Sequence, residues 1–195
     1  MSGLRASTFV AFVTAVSCGA ASPAQAANAP VGLHVAVAIC DAENAPPEIV
    51  ASAERIAGDV YRAIGVALEW TDAGCTAGEH SLTVNMIARE ASAIDVSNVT
   101  LGFAEPGTSV ATVLYDRIVA FARHYHVKRD VLLGYAIAHE IGHLLLPPNS
   151  HSRDGVMRPV INMEEATAKR LRFTKEQGEL IVRRIEGSSI ALATH

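Results

Sequence analysis

The amino-acid sequence predicts an α+β fold: a twisted mixed sheet, one strongly apolar helix past the middle of the chain and a closing C-terminal helix. Three observations lead there. A buried-strand pattern, a helix and a second strand follow one another before Trp70. An apolar helical run then ends sharply at Pro147, and a helix-start signature appears at Thr174.

Leu33 to Cys40 (LHVAVAIC) reads as a buried strand, set off by Pro30-Val31-Gly32 before it and Asp41 after. Pro46-Pro47 opens a helix whose apolar positions Ile49, Ala53, Ile56, Val60 and Ile64 recur at steps of three and four, and Gly65 is placed to end it. Val66, Leu68 and Trp70 alternate with Ala67 and Glu69 as a second strand, and Ser81 to Ile87 is a third. A strand-helix-strand opening favours a parallel pair joined by a crossover helix. Arg89 to Asn98 reads as a loop. Leu101 to Ala104 is a short edge strand stopped by Pro106-Gly107, and Val110 to Tyr115 is another strand. Helices are expected from Arg117 to His124 and from Asp130 to Leu146, where Pro147 disfavours helical geometry at the residue before it. Loop-like sequence runs to about Arg172. A last helix spans Thr174 to Ile185, with Thr174 and Gln177 spaced as a capping box.

Residues 1–26 have the features of an export signal: Arg5 as the positive start, Thr8 to Val16 as the apolar stretch, and Ala24-Gln25-Ala26 as a small-x-small cleavage site. The apolar run is too short and too interrupted, by Ser17, Gly19 and Pro23, for a permanent membrane span. Val16-Ser17-Cys18-Gly19 loosely follows a lipid-attachment pattern, which leaves a lipid anchor as the lesser alternative to a periplasmic or secreted protein. Residues 27–195 then form a single domain. Its two cysteines, Cys40 and Cys75, pair as a disulfide if the compartment is oxidising. Half of the chain is hydrophobic but only 5% is aromatic, so the core is aliphatic. With a net charge of −4 and no basic stripe, nucleic acid is not an expected partner.

The chemistry concentrates at Ala138-His139-Glu140-Ile141-Gly142-His143. Two histidines four apart on a helix project from one face, one turn apart, so both can reach a single Zn²⁺ at about 2.0–2.1 Å. Glu140 leans towards the same place and suits a general base that takes a proton from water on the metal. Leu132, Leu133, Ile137, Ile141, Leu144 and Leu145 bury this helix, and an apolar setting makes three polar side chains costly unless they share a partner. Gly142 leaves space beside the second histidine. His151 follows as a third candidate ligand, and Met157 lies in a tight turn after it.

These residues resemble the metzincins, zinc endopeptidases with the pattern H-E-x-x-H-x-x-G-x-x-H and a later methionine turn. His139, Glu140 and His143 match its helical part. His151 stands for the third histidine, two residues late, and Leu146 occupies the place of the family's glycine. Pro147-Pro148-Asn149-Ser150 can turn the chain out of the helix instead, with Asn149 at positive φ. Gly155-Val156-Met157 resembles the methionine turn. Leu101 to Gly107, with Val113 to Asp116, is similar to the edge strand and following strand of matrixin-type members, and Arg172-Phe173-Thr174 is similar to the start of their last helix. The position of an assisting tyrosine in some members holds Pro159, with Arg158 beside it as a solvated, salt-bridged or charge-supplying group.

The resemblance implies a zinc metallopeptidase cleaving peptides or proteins, with His139, His143 and His151 on one zinc ion, Glu140 as base and Met157 as floor. Two alternatives stay open at this point. One is a zinc-binding or interaction domain that does not cleave. The other is a peptidase of another clan, with Asp154, Glu164 or Glu165 as third ligand. Oligomeric state and substrate preference have no signal in the sequence.

Overall fold

The computed structural model describes residues 32–71, 75, 81–88, 100–105 and 107–192; the expected export signal and the loop expected at Arg89 to Asn98 lie outside them. Ten elements follow in order: β1 Leu33–Asp41, α1 Pro47–Arg62, β2 Val66–Thr71, β3 Ser81–Ile87, β4 Gly102–Ala104, β5 Val110–Leu114, α2 Tyr115–His124, α3 Arg129–Leu145, α4 Met163–Thr167 and α5 Lys175–Leu192.

The five strands form one mixed sheet in the order β2-β1-β3-β5-β4. β1 pairs in parallel with β2 and with β3, and β3 with β5. The strand-helix-strand opening is therefore a parallel pair, as a crossover helix of this length requires. β4 alone runs antiparallel, pairing Gly102 with Val113 and Ala104 with Ala111. It lies at the end of the sheet, with its far edge turned away from β5.

α1 ends where Gly65 takes a φ of +82°, a left-handed conformation that costs glycine little. Its inner face buries Ala53, Ile56, Ala57 and Val60, and the Tyr61 hydroxyl donates to the carbonyl of Ala138 in α3 at 3.2 Å. Every residue of α3 from Val131 to Gly142 is buried. A helix that is apolar all round must be enclosed, and α3 packs against β4 and β5 as well as α1, α2, α4 and α5. The capping box at α5 is present in both directions: Thr174 N–H donates to Gln177 Oε1 at 3.1 Å, and Gln177 N–H to Thr174 Oγ1 at 3.3 Å.

α4 departs from expectation, since that stretch reads as loop. Asn162 Oδ1 accepts from the backbone N–H of Glu164 at 3.0 Å and of Glu165 at 3.1 Å, which nucleates one short turn of helix. The asparagine followed three residues later by Glu165 was the available signal. Cys40 at the end of β1 and Cys75 after β2 are joined by a disulfide with a Cα–Cα separation of 4.8 Å. Among the described residues no helix is long and apolar enough to cross a membrane.

Candidate metal centre

α3 carries His139 and His143 on one face, and the chain beyond it brings His151 back to them. The helix stops at Leu146, which is extended at φ −98° and ψ 159°. Pro147 and Pro148 prevent its continuation, and Asn149 reverses the chain at φ +61°, the conformation expected for it. Nε2 of His143 then lies 3.0 Å from Nε2 of His139 and 3.1 Å from Nε2 of His151. Among the described residues these three alone form a group able to hold a metal ion, with all ligand atoms within 4.8 Å of one another.

The arrangement fits zinc. Two nitrogens each about 2.0–2.1 Å from a tetrahedral ion lie about 3.3 Å apart, close to the spacing found. His139 Nδ1 is 2.8 Å from the carbonyl of Val156. A carbonyl only accepts, so Nδ1 carries the proton and the Nε2 lone pair is left for a cation. His143 Nδ1 lies 3.4 Å from Ser150 Oγ, a hydroxyl that can either donate or accept. Glu140 is 5% exposed, and its Oε2 has no hydrogen-bond partner among the described residues. A buried carboxylate oxygen in that condition needs a water or reacting group to meet it.

Two glycines make room for these groups by close approach. A Cβ at Gly102 would sit 2.8 Å from both Cγ and Oε1 of Glu140, so the edge strand can pass the carboxylate only without a side chain there. A Cβ at Gly142 would meet Met157 Sδ at 2.5 Å. Met157 is fully buried and packs beneath the helix turn that bears both histidines. Its segment is pinned by Val156 N–H to the carbonyl of Arg172 at 2.8 Å and by Ser152 N–H to the carbonyl of Met157 at 3.0 Å.

One positioning residue escaped the reading of the sequence, where Gln177 figures only as a helix cap. Its Nε2 also donates to the carbonyl of Ser150 at 3.0 Å. The start of α5 is thereby tied to the residue just before His151. The carboxylates weighed as a third ligand are elsewhere: Glu164 faces Arg170 at 3.8 Å, and Asp154 and Glu165 line a separate pocket. Arg158 lines the main cleft and is in no ion pair among the described residues.

Burial sets the electrostatics. Without a cation it raises the Glu140 carboxyl from 4.5 to about 8. It also lowers His143 to about 4, with help from the charges of His139 and His151, and lowers His139. Between pH 4.5 and 8 the folded state thus holds a proton on Glu140 that the unfolded chain releases, and stability falls as pH rises. The histidines act in the opposite sense below pH 6.5, where the unfolded chain holds the protons. At 6.5 each unfolded imidazole is still half protonated, so the Glu140 slope dominates only above about pH 7. Chelator-treated protein should lose about 1 kcal/mol between pH 6.5 and 8, the Glu140 effect less the fading opposition of the histidines, read as a falling urea midpoint. Glu140→Gln should flatten that slope; a level midpoint in the parent protein would show that Glu140 is not held protonated.

The cleft over the three histidines has a volume of about 1020 Å³ and is lined by β4, by Arg158 to Ile161 and Met163, and by residues of α5. Neither a family model nor a curated protein matches this chain. Among solved structures it is similar to archaemetzincin from Methanopyrus kandleri, at 16% identity and a TM-score of 0.54, over 81% of this chain and 99% of that one. It is also similar to a zinc-dependent peptidase from Methanocorpusculum labreanum, at 14% identity and a TM-score of 0.52, over 74% of this chain and 99% of that one. The fold is one that zinc-dependent peptidases adopt. At such identities the likeness speaks for architecture, and the chemistry is carried by this chain's own side chains.

Proposed function

We propose that the chain is a metzincin-like zinc metalloendopeptidase that hydrolyses peptide bonds. The convergence of three imidazoles beside a buried, unpartnered carboxylate carries this reading. His139, His143 and His151 would hold one zinc ion, and a zinc ion so held acidifies water towards a pKa of about 7 and polarises a carbonyl.

The protein's own groups do the rest. Glu140 accepts a proton from the attacking water at Oε2 and returns it to the leaving amine. Proximity to a divalent cation favours its ionised form, opposing the burial that raises it alone. The Val156 carbonyl keeps His139 in the tautomer that ligates, and Met157 fixes the helix turn from below. Among the described residues the outer edge of β4 pairs with no other strand, and β4 lines the cleft, so an extended substrate can add to the sheet there. A structural zinc site usually closes with a fourth protein ligand; among the described residues none joins the three histidines, which supports catalysis over a purely binding role.

Residues 1–26 complete the proposal as a cleaved export signal, with 27–195 as the working domain. The Cys40–Cys75 disulfide supports an oxidising compartment. A chelator should abolish hydrolysis of an unstructured protein substrate, and stoichiometric zinc should restore it. Purified protein that takes up no zinc at micromolar concentrations would overturn the assignment.

A further inference from the structure

The chain is acidic overall, yet the lining of the cleft includes basic residues. Arg158, Arg183 and Arg184 all line it, the first directly after Met157 and the other two on α5. Arg183 lies 3.6 Å from Glu179 on its own helix. Among the described residues neither Arg158 nor Arg184 is in an ion pair. Arg158 is half-buried, and among the described residues no acid meets its guanidinium. The lining also includes β4, whose residues Gly102, Phe103 and Ala104 carry no charge, with Glu105 exposed just after it. Val160 and Leu180 add exposed apolar surface to the same lining.

A guanidinium is always charged and presents paired donors in a plane that matches a carboxylate. Arginines left without acids along a substrate-sized cleft are arranged to receive one from outside. We propose that the cleft selects peptides bearing a carboxylate close to the scissile bond, received by Arg158 and Arg184. This rests on the peptidase reading above. An aspartate or glutamate side chain can supply that group, and so can a free chain terminus. Arg183, already engaged by Glu179, contributes less.

The test separates recognition from hydrolysis. Zinc-loaded Glu140→Gln protein is titrated with rhodamine-labelled decapeptides that differ only in Asp or Asn at each position around the cleavage site. Each is made with a free and an amidated C-terminus. Asp peptides should bind about tenfold tighter than Asn peptides, with the advantage shrinking as salt rises. Arg158→Gln and Arg184→Gln, introduced singly, should each bring the ratio down to about twofold or less, whereas Arg55→Gln, on the exposed face of α1, should leave it unchanged. An advantage that follows the free terminus and not the side chain would assign the arginines to the chain end. Equal binding of all four peptides would overturn the proposal, even if the parent enzyme cleaves them. Acid-selective binding without cleavage by the parent would sustain it and count against the peptidase reading.

Discussion

Glu140→Gln should lower kcat/KM for peptide hydrolysis by about 10³-fold, within the range of about 10²–10⁴ for removing a general base, while zinc stays bound at one ion per chain. The amide has almost the shape of the carboxylate, so it fits against Gly102 as Glu140 does, but it accepts no proton. The three imidazoles do not depend on Glu140 for their hydrogen bonds: His139 is held by Val156, and His143 contacts Ser150. Metal content by elemental analysis should therefore be unaltered. Activity within tenfold of the parent would mean that another group moves the proton, and the assignment of Glu140 would be lost. The same substitution should flatten the pH dependence of stability in chelator-treated protein, a readout that does not depend on turnover.

His151→Ala should weaken zinc binding by more than about 100-fold, exceeding the loss of about 10–100-fold typical of removing an outer hydrogen-bond partner. It leaves two ligands on one helix turn and opens the site on the loop side. Gln177→Leu provides the intermediate case. All three imidazoles remain, but the carbonyl of Ser150 loses its donor, so the loop is free to carry His151 away from His143. A loss of about tenfold is expected, with unfolding in urea measured alongside to register the cost of the lost cap. Zinc affinity unchanged in His151→Ala would remove that histidine from the centre. Affinity unchanged in Gln177→Leu alone would show that the prolines and Asn149 suffice to place the loop.

The difference between these two residues shows what kind of information a linear reading carries. His139, Glu140 and His143 lie within five positions of one helix, where geometry follows from 3.6 residues per turn. No tertiary contact is needed to know that they share a face. His151 is more distant, but Pro147, Pro148 and Asn149 have restricted backbones that turn the chain in a definable way, and the turn at φ +61° is the one that Asn149 allows. Gln177, by contrast, reaches Ser150 across 27 positions. Nothing local to Gln177 distinguishes that reach from an ordinary helix cap. The short helix at Met163–Thr167 was missed for another reason: its apolar periodicity is too brief to register, and only the Asn162 cap announces it.

Local sequence was enough to place the five strands, four of the five helices, the helix that bears His139, Glu140 and His143, and the two cysteines, and to put His151 first among the candidates for a third ligand, because these depend on backbone preference and on spacing along one element. The tertiary structure alone decided that β4 runs antiparallel at the sheet's edge, that Gly102 and Gly142 clear space for Glu140 and Met157, that the Val156 carbonyl sets the tautomer of His139, and that Arg158 faces the cleft with Arg184. Each of those is a meeting of groups from separate elements. Such meetings are chosen by packing and by the pairing of buried polar groups across the whole chain, and those terms have no expression in local spacing.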